Sequence, residues 1–345
     1  MTHFLLSATI VLSIGGATLG AVPDARDTDN AELMTEETET AVQQALAWLA
    51  ARQHDDGSFG SGDWRGNVAV TAIAGMAFMS GGSTPNRGPY GAQVNRTVDY
   101  LMKQTEENGF IINRDAVSQG PMYGHGFATL FLAECYGMSR RAELREKLAR
   151  AVKLIVDAQN KEGGWRYQPD SIDADVSVTI CQVMALRAAR NAGLHVPKKT
   201  IDRCIDYVKK CQNPDGGFAY QLNRDRQSMF ARSAAGVVAL YSAGVYEGPE
   251  IEKGLDYLTR FVPGSRQAAR VDHYFYGQYY AAGAMWLSGG ARWQKWYTAV
   301  RDDLLDRRVD NARYWTSLSY TDDYATAMAC IVLQMPNDYL PILQR

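Results

Sequence analysis

Residues 159–186 read QNKEGGWRYQPDSIDADVSVTICQVMAL, and this stretch decides the fold. Gln159 closes one helix, the turn Gly163-Gly164-Trp165 carries the chain across, and a polar segment holding Asp173 and Asp175 opens a second helix. Upstream, LARAVKLIVDAQ spaces its apolar residues by three and four with charges between, the pattern of a helix with one buried face. Downstream, VSVTICQVMALRAARNAG is apolar on nearly every side until it meets glycine, where helices often stop. A helix that is apolar all round belongs inside.

The same unit recurs, as in repeat architectures. Gln53 precedes Phe59, Gln104 precedes Phe110, Gln159 precedes Trp165 and Gln212 precedes Phe218, each by six residues; the glutamines stand 51, 55 and 53 apart. Gly57, Gly163 and Gly216 lie two residues before their aromatics, whereas the second copy has Asn108 there and Gly109 next. Two further units, starting at IEKGLDYLTRFVPG and WYTAVRDDLLDRRVDNARYW, lack the glutamine but keep the rhythm. That makes six helical hairpins. A hairpin cannot bury both faces alone, so the six stack, either as an open superhelix or as a closed ring. The ring is favoured, because an open spiral would expose a concave face of Ala, Val and Met to water.

Composition bounds the rest. Among 345 residues, 36 Lys+Arg balance 38 Asp+Glu for a net charge of -2, and 46% are hydrophobic. That fits a globular core and gives no electrostatic footprint for nucleic acid. Cys135, Cys181, Cys204, Cys211 and Cys330 are scattered and odd in number, so they read as buried small hydrophobes, not a disulfide framework. The N-terminal run FLLSATIVLSIGGATLGA reads as a secretory signal over residues 1–21, followed by a polar lead-in over 22–35 and a toroid domain over 36–345. Export to the periplasm or beyond follows from that reading. No later segment has the ~20 unbroken apolar residues of a transmembrane helix. The oligomeric state is not readable.

Gln-x3-Gly-x-aromatic at this period resembles the QW motif of the terpene cyclase and protein prenyltransferase superfamily. Three of the four copies match it, and the looser repeat covers about residues 36–345. The resemblance implies an all-α fold, an α/α toroid of six hairpins with an inner and an outer ring of helices. It also implies that glutamine and aromatic tie the end of each outer helix to the start of the next inner one. Gly163-Gly164-Trp165 followed by Asp173-Ala174-Asp175-Val176 is similar to the GGW turn and Asp-x-Asp-Asp box of squalene-hopene-type cyclases, with Val176 in place of the last acid. The chain has room for one toroid where such cyclases carry two. Its phrases GGWRY, VMALRAARNAGL and YATAMACIVLQMPNDYLPILQR look like those of exported bacterial single-toroid repeat proteins. Such toroids host cyclases, transferases, lyases and non-catalytic domains, so fold alone names no reaction.

Aligning the inner helices on Thr71, Thr129, Thr179, Ser233, Ala282 and Thr326 puts Asn67, His125, Asp175, Met229, Gln278 and Asp322 four residues earlier. In a closed ring these stand at one rim of a central cavity. Asn and Asp there serve as N-caps. They also place carboxyl groups over an apolar well, where burial and a neighbouring carboxylate raise a pKa. Asp173 and Asp175 are the catalytic candidates; Asp175 matches the proton donor that the resemblance implies, a general acid. Asn67, His125, Gln278, Asp322 and Asp323 are candidate rim and binding residues. Tyr276 and Tyr279, in VDHYFYGQYY, are a candidate stacking wall for a carbocation or a sugar ring. Arg166, Arg232 and Arg313 either hold an anionic group or face solvent.

The resemblance to protein prenyltransferases implies zinc held by an Asp-x-Cys at one inner-helix start and a later His; no inner helix here begins Asp-x-Cys, since Asp322-Asp323-Tyr324 lacks the thiol, which argues against that zinc site. No metal and no cofactor is expected. His125, His273 and Asp323 form the one alternative ligand set. Three functions stay open: an isoprenoid-type enzyme with a lipid-like substrate, a carbohydrate-active lyase or hydrolase, and a non-catalytic scaffold. The scaffold is the expectation if Met76, Phe78 and Met184 fill the centre.

Overall fold

The computed structural model describes residues 33–139, 141–309 and 313–344. The signal at 1–21 and the lead-in up to residue 32 lie outside the described residues. The end of that lead-in belongs to the packed domain. Thr35 caps the first helix, and Leu33 accepts a bond from Arg301 at 3.0 Å through its carbonyl oxygen.

Among the described residues there are twelve α-helices and no strand. The outer helices are α1 (Glu36–Arg52), α3 (Gly91–Lys103), α5 (Ala142–Asp157), α7 (Lys198–Cys211), α9 (Pro249–Thr259) and α11 (Gly290–Asp306). The inner ones are α2 (Val68–Ser80), α4 (Pro121–Ser139), α6 (Val176–Asn191), α8 (Phe230–Ser242), α10 (Tyr274–Ser288) and α12 (Asp322–Leu333). Each inner helix packs on the next, and α12 returns to pack on α2, so the ring is shut. Gln334 seals the seam, its amide donating to Ala77 O at 3.1 Å and to Ser80 Oγ at 3.0 Å. None of the helices among the described residues is long and apolar enough to cross a membrane.

The repeated turn is a hydrogen-bonded joint. The Gln53 amide donates to Gly57 O and Gln93 O, both at 3.0 Å. Gln159 reaches Gly163 O and Thr200 O, both at 2.8 Å, and Gln212 reaches Gly216 O and Glu250 O. Gln93, Thr200 and Glu250 sit in the first turns of α3, α7 and α9. The glutamine therefore ties one outer helix to the next outer helix. The link to the inner ring is made by the aromatic's own N–H, which donates to a helix hydroxyl: Phe59 to Thr71 (3.1 Å), Trp165 to Thr179 (3.1 Å) and Phe218 to Ser233 (2.8 Å).

This joint corrects the register of the second copy. Ile111, not Phe110, donates its N–H inward, and Gly109 holds the glycine position with φ +91°. Thr105 and Ile111 pair across the turn as Gln212 and Phe218 do. The acceptor for Ile111 is Nδ1 of His125, which therefore occupies the place of Thr71, not that of Asn67. The sixth unit carries the same joint without a glutamine, with Trp315 N–H on Thr326 Oγ1 at 3.1 Å and Trp315 Nε1–H on Leu304 O at 2.7 Å. Trp165 likewise donates its indole N–H to Ile155 O at 2.7 Å.

At the opposite end of the ring, residues 335–344 lie across the C-terminal ends of the inner helices. Leu340, Ile342 and Leu343 are buried there. Trp286 of α10 donates to Leu343 O at 3.1 Å, and Arg187 of α6 to Gln344 O. All five cysteines are buried free thiols.

Candidate functional site

With one end closed by the C-terminal segment, the ring opens at the other. A cavity of about 500 Å³ lies among the N-terminal ends of the inner helices, each of which lends it at least one residue or the residue just before its first turn. Its wall is aromatic: Tyr123, Tyr167, Tyr220, Phe230, Tyr276 and Tyr324 all face it. Polar groups gather at the rim, including Asn67, Arg232, Asp272 and His273. Met76, Phe78 and Met184 are buried, yet none lines the cavity, so they fill the core without closing the well.

Asp175 sits behind this wall. It is fully buried and is the N-cap of α6: Oδ1 accepts from Val178 N–H at 2.8 Å. Oδ2 has no hydrogen-bond partner. Burial pushes the carboxyl up to about 7, with the Val178 N–H, the Arg166 guanidinium and the Tyr220 hydroxyl pulling the other way. Its charge acts on the hydroxyls of Tyr123, Tyr220 and Tyr276, three residues of the cavity wall. Tyr220 is in turn hydrogen-bonded to Tyr167, hydroxyl to hydroxyl. Tyr276 donates to Ser177 O at 2.9 Å, which fixes its ring against the start of α6.

Several expectations need correction. Asp173 and Asp175 do not meet over the cavity, and neither lines it. The Asp173 side chain is 42% exposed, accepts from Gln221 at 2.9 Å and lines a separate outer cleft with Glu162 and Asn223. The chain bends at Ile172 and Asp173, so the same-face relation of residues two apart in a regular strand does not hold and the two carboxyls separate. His125 is not a rim residue. It is fully buried, with Nδ1 accepting from Ile111 and Nε2 3.2 Å from Ala151 O, so the proton is on Nε2. Burial lowers it to about 4, leaving the ring neutral.

Gln278 lies a turn inside α10, buried away from the cavity, because the helix starts at Tyr274 with His273 as its N-cap. Asp322 is the first residue of α12 and does not line the cavity, because Thr321 takes the cap and accepts from Tyr324 N–H at 3.2 Å. Asp323 points toward the outer ring, where it pairs with Arg52 of α1 and accepts from Gly60 N–H at 2.8 Å. Tyr279 is buried against Phe127 and Tyr280, and does not line the cavity. Asn67 and Tyr276 do line it, and Asn67 also caps α2 through Ala69 N–H at 2.9 Å. His125 and Asp323 thus have other partners and do not converge with His273; among the described residues no three His, Cys, Asp or Glu side chains form a metal-holding group.

Tyr167, Tyr220 and Arg232 were not singled out from sequence as wall residues. Tyr167 and Tyr220 each stand two residues after the aromatic of their turn, Trp165 and Phe218, and that shared offset is the signal that could have found them.

A shut ring of six inner and six outer helices with a cavity at one end defines an α/α toroid. Residues 31–152 match the family model of the prenyltransferase alpha-alpha toroid domain, and residues 134–278 that of the squalene-hopene cyclase C-terminal domain. Over residues 31–278 the chain is thus similar to terpene cyclase and prenyltransferase toroids. A stretch of 179 residues, 52% of the chain, is 25% identical to drimenyl diphosphate synthase of Streptomyces showdoensis and spans 32% of that protein, about a third of its length. Among solved structures, the type II terpene cyclase MstE from Scytonema is similar at TM-score 0.62, with 16% identity over 89% of this chain and 98% of that one. The cellobiose 2-epimerase of Spirochaeta thermophila reaches TM-score 0.66 with 14% identity, over 92% of this chain and 99% of that one. The alpha-1,6-mannanase of Salegentibacter reaches 0.65 with 6% identity, over 88% and 99%. At these identities the structural likenesses speak to fold.

Proposed function

We propose that this chain binds an isoprenoid or a similarly apolar chain in the aromatic cavity and that Asp175 starts a reaction there by donating a proton. The observation that carries the reading is the buried Asp175 carboxyl with an unpartnered Oδ2, set behind tyrosines that line the cavity. A carboxyl raised to about 7 is still substantially protonated near neutral pH and so can act as an acid. The proton route runs through Tyr220: the carboxyl O–H gives its proton to the phenol oxygen as the phenol proton passes to the alkene. A C–H bond forms from the π pair, the substrate becomes a carbocation, and Asp175 is left as carboxylate. Aromatic faces around the cavity stabilise the cation. A second double bond of the chain attacks the cation, its π pair forming the C–C bond that closes a ring. Loss of a proton from the resulting cation regenerates a double bond, Asp175 is reprotonated, and the net change is isomerisation to a ring.

The match to a drimenyl diphosphate synthase supports this reading. So does a cavity of about 500 Å³, which is within the size range of small-molecule sites. Residues 1–21 would act as the export signal of a periplasmic or secreted protein. The test is to incubate polyprenyl alcohols and diphosphates with wild type and Asp175→Asn and to follow cyclised products by mass spectrometry. Product from wild type alone supports the acid. Equal product from both removes Asp175, and turnover of a polysaccharide instead favours the carbohydrate reading.

A further inference from the structure

Arg166 sits between the two carboxyls without hydrogen-bonding either. Its Nε is 3.6 Å from Asp173 Oδ1 and its Nη1 is 3.6 Å from Asp175 Oδ2. Nη1 and Asp175 Oδ2 are both buried atoms with no hydrogen-bond partner. The guanidinium is stacked over Tyr167 at 4.7 Å and lies 5.5 Å from the Tyr220 ring centroid. A planar cation resting on aromatic faces can slide along them and keep its stacking. A slide of about 0.8 Å separates the 3.6 Å contact from a charge-assisted hydrogen bond at about 2.8 Å.

We infer that Arg166 is a positioning residue that moves between Asp173 and Asp175, leaving Asp175 protonated when it leans outward and holding it as carboxylate when it leans inward. The inference rests on Asp175 being the acid, and adds how that acid is reset. Asp173, more exposed, is the resting partner, kept in place by Gln221 at 2.9 Å. After Asp175 gives up its proton, the new carboxylate lies in a buried site where an unpaired charge is costly. Arg166 is the cation within reach. The other titratable groups around Asp175 are Tyr123 of α4, Cys181 of α6, Tyr207 and Cys211 of α7, Tyr220 of the following loop, and Tyr276 of α10. Burial raises all six, so they remain neutral at ordinary pH. The charged groups nearby are Arg166, Asp173 on its far side, Glu162, which accepts from Ala174 N–H at 3.1 Å, and Arg232, stacked over Tyr220 at 5.0 Å; of these, Arg166 is the one paired with both Asp173 and Asp175.

The inference is tested by titration, independently of turnover. The infrared C=O band of the protonated carboxyl is followed against pH in the whole protein, with Asp175→Asn identifying the band. Arg166→Met should raise the midpoint by about one pH unit or more, the size expected for losing a cation at this distance. Asp173→Asn frees Arg166 to turn inward and should lower the midpoint. Arg166→Lys should stay near wild type. Opposite shifts in two folded variants cannot come from general loosening. If neither Arg166→Met nor Asp173→Asn moves the midpoint, or both move it the same way, the switching role is overturned. Should Asp175→Asn still turn over substrate while these shifts hold, the acid assignment fails and the Arg166 coupling stands.

Discussion

A Cβ on Gly163 would lie 2.3 Å from the carbonyl oxygen of Arg203, in the helix of the next hairpin. The relation is repeated around the ring: Gly57 against Arg96 O at 2.3 Å, Gly109 against Arg150 O at 2.4 Å, and Gly216 against Lys253 O at 2.2 Å. All four glycines also have positive φ, between +88° and +101°. The turn glycine is thus where the turn after one outer helix meets the backbone of the next outer helix, and its lack of a side chain permits that approach.

Gly163→Ala should therefore cost at least ~2 kcal/mol, from strained backbone together with displacement of α7. Gly137, on the exposed face of α4 with nothing within 4 Å, is the control. Gly137→Ala should be neutral or stabilise by up to ~1 kcal/mol, because alanine favours the helix. Urea unfolding of both variants checks the pair.

The joint glutamines should matter by their bonds. Gln159→Ala removes two amide hydrogen bonds at 2.8 Å that hold α5, the turn and α7 together. A loss of ~1–3 kcal/mol in unfolding free energy is expected, and Gln212→Ala should cost a similar amount. Gln104→Ala should cost clearly less, because Thr105, not Gln104, holds the corresponding place in its turn. Equal losses at all three would contradict the corrected register.

His125 provides a second check of that register. His125→Phe leaves the buried Ile111 N–H without its acceptor and should destabilise by ~1–3 kcal/mol at neutral pH. The folded state holds this histidine at about 4, below its ordinary value of 6.5. Its contribution is therefore full above 6.5 and is lost as pH falls from 6.5 towards 4. His125→Phe should remove that part of the acid sensitivity, read from unfolding free energies at several pH values.

The repeat was legible because one joint, built from glutamine, glycine and aromatic, is used several times with the same geometry. Where it was misread, a local substitution had changed the chemistry without changing the shape. In the second copy, Gln104 and Phe110 imitate the spacing one residue out of step, while Gly109 marks the true register by its positive φ. Trp315 was missed as a joint aromatic because no glutamine precedes it, although its N–H and indole bonds repeat those of Trp165. The site was less legible than the fold. Asp175 was found through its local resemblance. The partition of Asp173 from Asp175 depends on bends at Ile172 and Asp173, and two of the wall tyrosines, Tyr167 and Tyr220, come from loops outside the helical period.

The buried carboxyls give a pH signature of the opposite sign to His125. Asp175 and Glu134 are both raised by burial to about 7, from ordinary values of 3.8 and 4.5. Below those ordinary values both are protonated, folded or unfolded, and their contribution is full. As pH rises towards 7 the unfolded chain ionises first, so stability falls, and above about 7 the loss levels off. Asp175→Asn keeps a capping side chain and should gain on wild type as pH rises from 4 to 7, by ~1 kcal/mol or more. Parallel stability curves for the two proteins would contradict the burial of a protonated Asp175.

The central claim is that a proton passes from Asp175 to the substrate, and solvent isotope incorporation tests it most directly. Wild-type protein is equilibrated in D2O, supplied with a polyprenyl substrate, and the product examined by mass spectrometry. The account predicts a cyclised product carrying one deuterium at the carbon first protonated, and no such product from Asp175→Asn. A product without deuterium, or labelled product from Asp175→Asn at the wild-type rate, would contradict it.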